Sequence, residues 1–478
     1  MKPILARAYH EVGLEAFINT PFDVKLLCLQ RFVRLFAYGA STLVLVLYLV
    51  ELGNSTSQTG LFMTLTLIGD VVISLVLTLI ADRVGRRRLL ALGSLLMTAS
   101  GIVFAFVGNF WVLLAASVVG VISPSGNEIG PFKAIEESTI SQLTPSADRS
   151  SVLAWYTLCG TAGAALGTII CGWVVQVLQV NHGWQPLQTY RLVFAGYAVI
   201  GVCKFSLCLL LSRGCEIEEE KSVPETITMV EQRQGLLQTA DENQYSQSTA
   251  TKTKSWSLLP QLSAETRSLL LKLGVLFAMD SLASGLASAS WTIYFFSTKF
   301  GLEESKLGSL FFTTNILSSA SNLVASSLAR RVGLIKTMVF THFPASLALV
   351  LIPLSSNVVI AMALLVFRAS TSSMDQAPRQ AFLAAAVTPS ERTSVMGLVN
   401  VIKTLSQSAG PIITGYLASS GYFGVAFVVA GCLKILYDVL LLGLFLGYRT
   451  VEDKAQATVE QEVEREREES TDEQRDVA

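Results

Sequence analysis

The chain has 478 residues, of which 51% are hydrophobic and only 15% are charged, and its mean hydropathy is +0.53. Because about a quarter of the residues in a soluble protein are charged, this composition predicts a membrane protein. The net charge of −1 gives no support to nucleic-acid binding, and the seven cysteines lack the spacing of a metal site or a disulfide framework.

Twelve apolar segments reach or approach the length of about 20 residues that crosses a bilayer as a helix. Several of them are interrupted by Gly, Pro or a charged residue. The sequence therefore predicts an all-α membrane protein with twelve transmembrane helices. In chain order, the predicted spans are 27–51, 58–81, 88–108, 111–142, 150–178, 190–213, 267–297, 307–329, 335–354, 357–387, 393–418 and 422–447.

The distribution of basic residues predicts the orientation of these spans. The connections that follow even-numbered spans carry most of the arginines. The connections that follow odd-numbered spans have little more than His182, Arg191, Lys299 and Lys306. Because Arg and Lys are enriched in cytoplasmic loops, both termini are predicted to be cytoplasmic. The basic residues in the predicted cytoplasmic connections are Arg83, Arg86, Arg87, Arg88, Arg149, Arg213, Arg330, Arg331, Lys336 and Arg392.

Composition also separates three hydrophilic segments from two apolar ones. Residues 1–24 form a short N-terminal segment, predicted to be cytoplasmic. Two bundles of six spans follow at 25–213 and 267–447, joined by a linker at 214–266. The linker is rich in Glu, Gln, Ser and Thr and poor in aromatic residues, which predicts a largely disordered cytoplasmic segment. The acidic tail at 448–478 alternates Glu with Arg and is predicted to be solvated in the cytoplasm.

The two bundles carry an internal repeat. Residues 60–81 of span 2 align without a gap with residues 308–329 of span 8, and Arg-Val-Gly follows in both, at 83–85 and 331–333. The tripeptide Thr-Pro-Ser likewise follows spans 4 and 10. A membrane chain that contains the same segments twice, in the same order, is typical of a transporter built from two related halves.

The loop after span 2 carries the residues that identify a family. Residues 78–90 read Thr-Leu-Ile-Ala-Asp-Arg-Val-Gly-Arg-Arg-Arg-Leu-Leu, which resembles the signature Gly-x-Leu-Ala-Asp-Arg-x-Gly-Arg-Lys/Arg-x-x-Leu of the major facilitator superfamily. Thr78 and Ile80 replace its first Gly and its Leu, and the second copy has Arg330 where the acid would be. The resemblance covers residues 25–447 and implies two pseudo-symmetric six-helix bundles, the fold of this superfamily.

Glycines in spans 5 and 11 resemble a second motif. Residues 163–172 and 410–415 look like the glycine-rich motif of drug:proton antiporters. The similarity is distant, because the Pro of that motif in span 5 and the Arg that those exporters carry in span 4 are both missing. The long linker and the charged tail are similar to those of fungal or other eukaryotic members.

The resemblance implies a cytoplasmic gate in the loop after span 2. Asp82 lies one helical turn before Arg86 and is expected to face the positive N-terminal end of span 11, which would hold the cytoplasmic side closed. Gly85 permits the tight turn. The plainer interpretation is a basic anchor that follows the positive-inside rule. The gate residues implied by the resemblance are Asp82, Arg83, Gly85, Arg86 and Arg87.

Spans 4 and 10 share an acid–Pro spacing that predicts a broken helix in each half. Span 4 contains Glu128-x-x-Pro131, and span 10 contains Asp375-x-x-Pro378. Proline removes a backbone donor, and broken helices at the membrane midplane are where transporters bind solutes and coupling ions. We therefore expect Glu128 and Asp375 to take part in coupling. The structural alternative is that Asp375 and Arg379 only neutralise each other at i,i+4.

Other charges at membrane depth are costly and indicate either function or paired structure. Arg34 and Asp70 are predicted to pair between spans 1 and 2, whereas Glu136 is expected only to flank the end of span 4. Arg368 must face the cavity or pair with an acid, whereas Lys204 and Lys434, in peripheral spans, are expected to snorkel or to pair along their own helix. The candidate substrate and proton-coupling residues are Asp70, Glu128, Asp280, Arg368, Asp375, Arg379, Lys403 and Arg34.

The sequence lacks a Walker loop, an HExxH motif and a nucleophile elbow, so no enzyme activity and no cofactor are expected. The leading hypothesis is a multi-pass secondary active transporter that moves a small solute by alternating access and is driven by protons. The alternatives are an uncoupled facilitator of the same fold and a membrane receptor that does not transport. Expected partners are the lipid bilayer, protons and a small molecule, for a monomer in the plasma membrane or an organelle membrane.

Overall fold

The structure, a computed structural model, describes residues 14–120, 122, 131–145, 148–216, 263–388 and 391–448. The predicted disordered linker and solvated tail lie almost wholly outside these residues. Within them, every regular element is a helix, and nine stretches are long and apolar enough to cross a membrane. The all-α membrane fold predicted from the sequence is therefore confirmed.

In the described part of the N-terminal half, a short helix, Leu14–Ile18, is followed by six spans. Span 1 starts at Phe22, five residues before its predicted start, since Asp23 in its first turn accepts hydrogen bonds from Ser212 after span 6. The helices of spans 1 to 6 are Phe22–Glu51, Thr56–Val84, Arg86–Phe106, Phe110–Val119 with Pro131–Leu143, Arg149–His182 and Pro186–Leu209.

The C-terminal half repeats the arrangement. Span 10 is broken by a 3₁₀ turn, Ser373–Asp375, just before Pro378, which confirms the predicted break. Span 7 is also broken, at Ala287 and Ser288, which the sequence did not predict. The helices of spans 7 to 12 are Ala264–Leu286 with Ala289–Phe300, Glu304–Val332, Leu334–Leu351, Val358–Ser372 with Gln376–Ala386, Arg392–Ser419 and Phe423–Phe445.

The start of span 7 is tied to the start of span 11. The carboxylate of Glu391 accepts hydrogen bonds from the Thr266 hydroxyl at 2.5 Å and from the Ser263 backbone N–H at 2.6 Å. These hydrogen bonds, that from Thr266 above all, lower the pKa of Glu391. The group is therefore ionised at neutral pH, and the tie weakens as the pH falls through this lowered pKa.

The two halves meet at the outer end of the molecule, which we define as the end at which span 1 finishes and span 12 begins. Glycines let helix backbones touch there. A Cβ on Gly172 of span 5 would lie 2.3 Å from the carbonyl oxygen of Glu304, and one on Gly415 of span 11 would lie 2.4 Å from that of Thr56. Among the described residues, the hydrogen bonds between the halves also lie in the outer part: Ser57–Ser419, Thr64–Ile412, Thr42–Ser290 and Tyr190–Glu304.

We expect Gly172→Val to open this outer contact between spans 5 and 8. The added side chain must displace the backbone at Glu304, and overpacking of this kind costs about 1–3 kcal/mol. Spin labels on the outer ends of spans 5 and 8, in a background without the seven native cysteines, should report a longer distance. Gly196→Val is the matched control, since nothing lies within 4 Å of a Cβ built there. An unchanged distance in Gly172→Val would contradict the role of this glycine contact.

Candidate functional site

The interior of the C-terminal half contains a network of charges centred on Asp280 of span 7. Its carboxylate lies 2.6 Å from Lys434 Nζ of span 12, 3.0 Å from Arg379 Nη1 of span 10 and 3.6 Å from His342 Nε2 of span 9. Lys434 also donates a hydrogen bond to the hydroxyl of Ser284, at 2.8 Å. Four spans of this half are thus connected through one buried carboxylate.

Arg379 connects this network to the broken part of span 10. Its guanidinium forms an ion pair with Asp375, one turn earlier on the same span, as well as with Asp280. Its Cζ lies 5.3 Å from the centroid of the Phe277 ring and 5.5 Å from that of Tyr437, distances typical of cation–π contacts. Asp375 therefore makes the i,i+4 pair that the sequence left open, and its part in coupling stays a prediction.

His342 is a member of the network that sequence reasoning missed. Its Nδ1 lies 2.9 Å from Asp438 of span 12, and both side chains are buried. The ring therefore lies between two carboxylates, those of Asp280 and Asp438. The signal available in the sequence was a histidine inside an apolar span, where a titratable group is costly without a partner.

A second network in the N-terminal half is centred on Glu136 of span 4, which is fully buried. Its carboxylate lies 2.7 Å from Arg34 Nη2, 2.6 Å from the Tyr156 hydroxyl and 3.8 Å from Lys204 Nζ. The predicted pair of Arg34 with Asp70 is therefore wrong, because Glu136, which was expected only to flank the end of its helix, takes the Arg34 guanidinium.

The two networks correspond to each other. In each half a lysine of the last span, Lys204 or Lys434, turns into the bundle and contacts a carboxylate of another span. Both lysines are buried, so the prediction that they snorkel or pair along their own helix is wrong. A buried carboxylate within reach is a better partner for a lysine at this depth than distant water.

Asp70 of span 2 is a buried carboxyl that makes no hydrogen bond or ion pair with the described residues. Its side chain is 2% exposed, and neither carboxyl oxygen has a hydrogen-bond partner among the residues that the structure describes. A carboxylate held in this way is costly in the membrane interior unless it is protonated. Asp70 can therefore hold and release a proton without breaking an ion pair.

Arg368 and Lys403 pair with no acid among the residues that the structure describes. Arg368 follows the buried Leu365 by one turn on span 10, and Lys403 lies one turn from the buried Val399 and Gln407 on span 11. Both side chains are half-buried, and neither makes an ion pair within the described part of the chain. Arg368 was predicted to face the cavity or to pair with Asp280 or Asp375, and Arg379 and Lys434 take those two acids instead.

The loop after span 2 is described in part. Gly85 has a φ of 95°, which confirms that the turn needs glycine. The Glu216 carboxylate accepts the backbone N–H groups of Arg86 at 2.7 Å and Arg87 at 3.2 Å, so a residue after span 6 caps span 3. Arg86 Nη1 contacts Gln142 of the same half, at 2.7 Å. The side chains of Asp82 and Arg83, and all of Glu128, lie outside the described residues, and the gate stays a prediction.

Solved transporter structures have the same fold. The xylose transporter XylE from E. coli, in an inward-open conformation, aligns with a TM-score of 0.66 at 12% identity over 91% of this chain and 99% of that one. An inward-facing bacterial homolog of the human lysosomal transporter Spinster aligns with a TM-score of 0.67 at 13% identity, over 89% and 96%. At such identities the comparison concerns the fold alone.

Sequence comparison identifies relatives and a family. An uncharacterized membrane protein of Saccharomyces cerevisiae, YJR124C, is 39% identical over 427 residues, which cover 89% of this chain and 94% of the relative. The quinolone resistance protein NorA of Staphylococcus aureus is 24% identical over 168 residues, 35% of this chain and 39% of its own. The family model of the Major Facilitator Superfamily matches residues 27–228 and 273–473. The chain is therefore an integral membrane transporter, not an enzyme, and belongs to the major facilitator superfamily.

Proposed function

We propose that this protein is a secondary active transporter that moves a small solute by alternating access and couples the movement to protons. The observation that supports coupling is Asp70, a buried carboxyl without a partner among the described residues. Protonation of Asp70 removes a costly charge without disturbing either network of ion pairs. An uncoupled facilitator has no need of such a group, and a receptor has no need of an alternating site.

The contacts between the halves fit one state of this cycle. Spans 5 and 8 touch at the outer end, as do spans 2 and 11, through glycines whose substitution would separate the helices. With the inner end cytoplasmic, as the basic residues predict, this is an inward-facing state. The outward-facing state would require these contacts to open, as alternating access demands.

Proteoliposomes with an imposed pH gradient test the coupling. The solutes to supply are a quinolone, a pentose, a nucleoside and a set of carboxylic acids, with a pH-sensitive dye in the lumen. We expect at least one solute to accumulate only when the gradient is present, with a matching change in lumenal pH. Uptake to the same equilibrium level with and without the gradient would favour the facilitator, and no flux of any solute would favour the receptor.

We expect Asp70→Asn to abolish the accumulation while leaving equilibrium exchange of the same solute intact. The amide cannot release a proton, whereas the solute site remains. Glu303→Gln is the control, because Glu303 is an exposed acid that pairs with Lys306 at the outer end. If Asp70→Asn accumulates solute as the wild type does, with the same pH dependence, Asp70 does not carry the coupled proton.

A second candidate, drug export, is supported by the partial similarity to NorA and by the glycines of spans 5 and 11. Its expected result in the same vesicles is proton-driven movement of the quinolone. Transport of a carboxylic acid without transport of the quinolone would exclude quinolone export.

A further inference from the structure

The described interior of the C-terminal half holds more cationic side chains than carboxylates. In the described interior of spans 7 to 12, four cationic side chains accompany three carboxylates, Asp280, Asp375 and Asp438. The carboxylates of Asp280 and Asp375 are bound by Lys434 and Arg379. The third lies against His342. The two cations that remain are Arg368 and Lys403.

Both of these cations lie on spans that reach the network. Arg368 shares span 10 with Arg379, and span 11 packs against span 7 near Asp280, where a Cβ on Gly285 would lie 2.1 Å from the Gln407 carbonyl oxygen. They approach from different spans, 10 and 11, and each lies on the buried face of its helix. Exposed apolar side chains of these helices, such as Phe367 and Leu405, lie on other faces. Neither cation is therefore a snorkelling residue at the lipid boundary.

A polar side chain beside Lys403 also lacks a partner. Gln407 follows Lys403 by one turn of span 11, is 6% exposed, and its Nε2 has no hydrogen-bond partner among the described residues. A buried amide donor left in this way costs roughly 1–3 kcal/mol. An acceptor oxygen supplied by a bound molecule would satisfy it. Two cations and one amide donor, on two spans, match the negative charge and the acceptor oxygens of an oxyanion.

We propose that the transported solute is an organic anion whose acidic group is bound by Arg368 and Lys403, with Gln407 as a third donor. The proposal rests on the transport function proposed above and names the class of its substrate. Arg368 supplies a flat fork for two oxygens of a carboxylate or phosphate, and Lys403 supplies a point charge. Asp280 and Asp375 do not compete, because their own cations hold them.

Ligand-dependent stability of the purified, full-length protein in detergent tests the proposal, at one pH and without any gradient. The probes are inorganic phosphate, citrate, benzoate and carboxyfluorescein, with rhodamine 6G as a cationic dye of similar shape. Sodium chloride keeps the ionic strength constant. We expect at least one organic anion to raise Tm saturably and rhodamine 6G to have no such effect. If phosphate alone does so, or no anion does, the proposal is wrong.

Substitutions locate the site. Arg368→Gln and Lys403→Gln should each weaken binding of the stabilising anion roughly 10- to 100-fold, the loss expected for one charge-assisted hydrogen bond. Arg368→Lys should also bind more weakly than wild type, because the fork is lost while the charge remains. Lys306→Gln, an exposed lysine at the outer end, should leave affinity unchanged. An affinity that survives the double variant Arg368→Gln/Lys403→Gln would overturn the proposal.

The same variants separate a binding role from a structural one. Without ligand, Lys403→Gln should be as stable as wild type or more so, because it breaks no ion pair. Lys434→Gln should be less stable, since it removes the closest partner of Asp280. A loss of stability in Lys403→Gln as large as that in Lys434→Gln would make Lys403 a structural counter-ion. Because binding is measured without a gradient, its result does not depend on proton coupling. Anion binding can therefore be found where coupling fails, and coupling can be found where anion binding fails.

Discussion

Asp280→Asn is expected to be the most damaging single substitution in the C-terminal half. It leaves Lys434 and Arg379 buried without the carboxylate that lies 2.6 and 3.0 Å from them. Removing one partner of a buried ion pair costs about 3–5 kcal/mol, because the other charge stays in a medium that solvates it poorly. The yield of monodisperse protein and the unfolding temperature in detergent should both fall.

A second substitution tests the cause of that loss. Replacing Lys434 by methionine in the Asp280→Asn background removes the stranded cation and keeps a side chain of similar length, so part of the stability should return. Asp375→Asn should cost less than Asp280→Asn, because Arg379 keeps Asp280 as a partner. If Asp280→Asn unfolds at the wild-type temperature, the network does not stabilise the fold.

Glu136→Gln is expected to have a comparable effect on the N-terminal half. The amide cannot balance the charges of Arg34 and Lys204, which lie 2.7 and 3.8 Å from the carboxylate. Removing the carboxylate that both cations contact should lower stability by about 3–5 kcal/mol. Unfolding temperature and protein yield are again the measurements, and Lys204→Met in the same background should restore part of the loss.

The neighbouring acid provides the matched control for this prediction. Glu137 follows Glu136 on the same helix and pairs with Lys133 at 3.8 Å, with both side chains partly exposed. Exposed i,i+4 pairs contribute little, so Glu137→Gln should leave stability unchanged. Equal losses in the two variants would show that the charge of span 4 as a whole, and not the contacts of Glu136, determines the result.

Sequence reasoning identified most of the charges in these networks but few of their partners. It singled out Asp280, Asp375 and Arg379, and the structure brings the three together. It paired Arg34 with the wrong acid, and it assigned Glu136 to the end of a helix. The partner of an intramembrane charge depends on the depth and rotation of two helices at once, which hydropathy along one helix does not report.

Close helix packing explains part of this difference. Gly160 of span 5 leaves room for Arg31, since a Cβ there would lie 2.4 Å from Arg31 Nε. The Arg31 guanidinium then lies 4.0 Å from the centroid of the Tyr156 ring, and Tyr156 in turn donates to Glu136. The position of one glycine thus influences which side chains surround the carboxylate, and a single sequence gives little indication of that.

The sequence by itself determined the membrane class, the span order, the repeat and the family, because apolar length and repeated segments are local properties of the chain. It also located the break in span 10, because proline acts on its own helix. The tertiary structure decided the pairing of the interior charges. It placed Lys204 and Lys434 inside the bundles, brought His342 between two carboxylates, and left Asp70 without a partner among the described residues. These outcomes depend on distances between spans, which only the packed bundles fix.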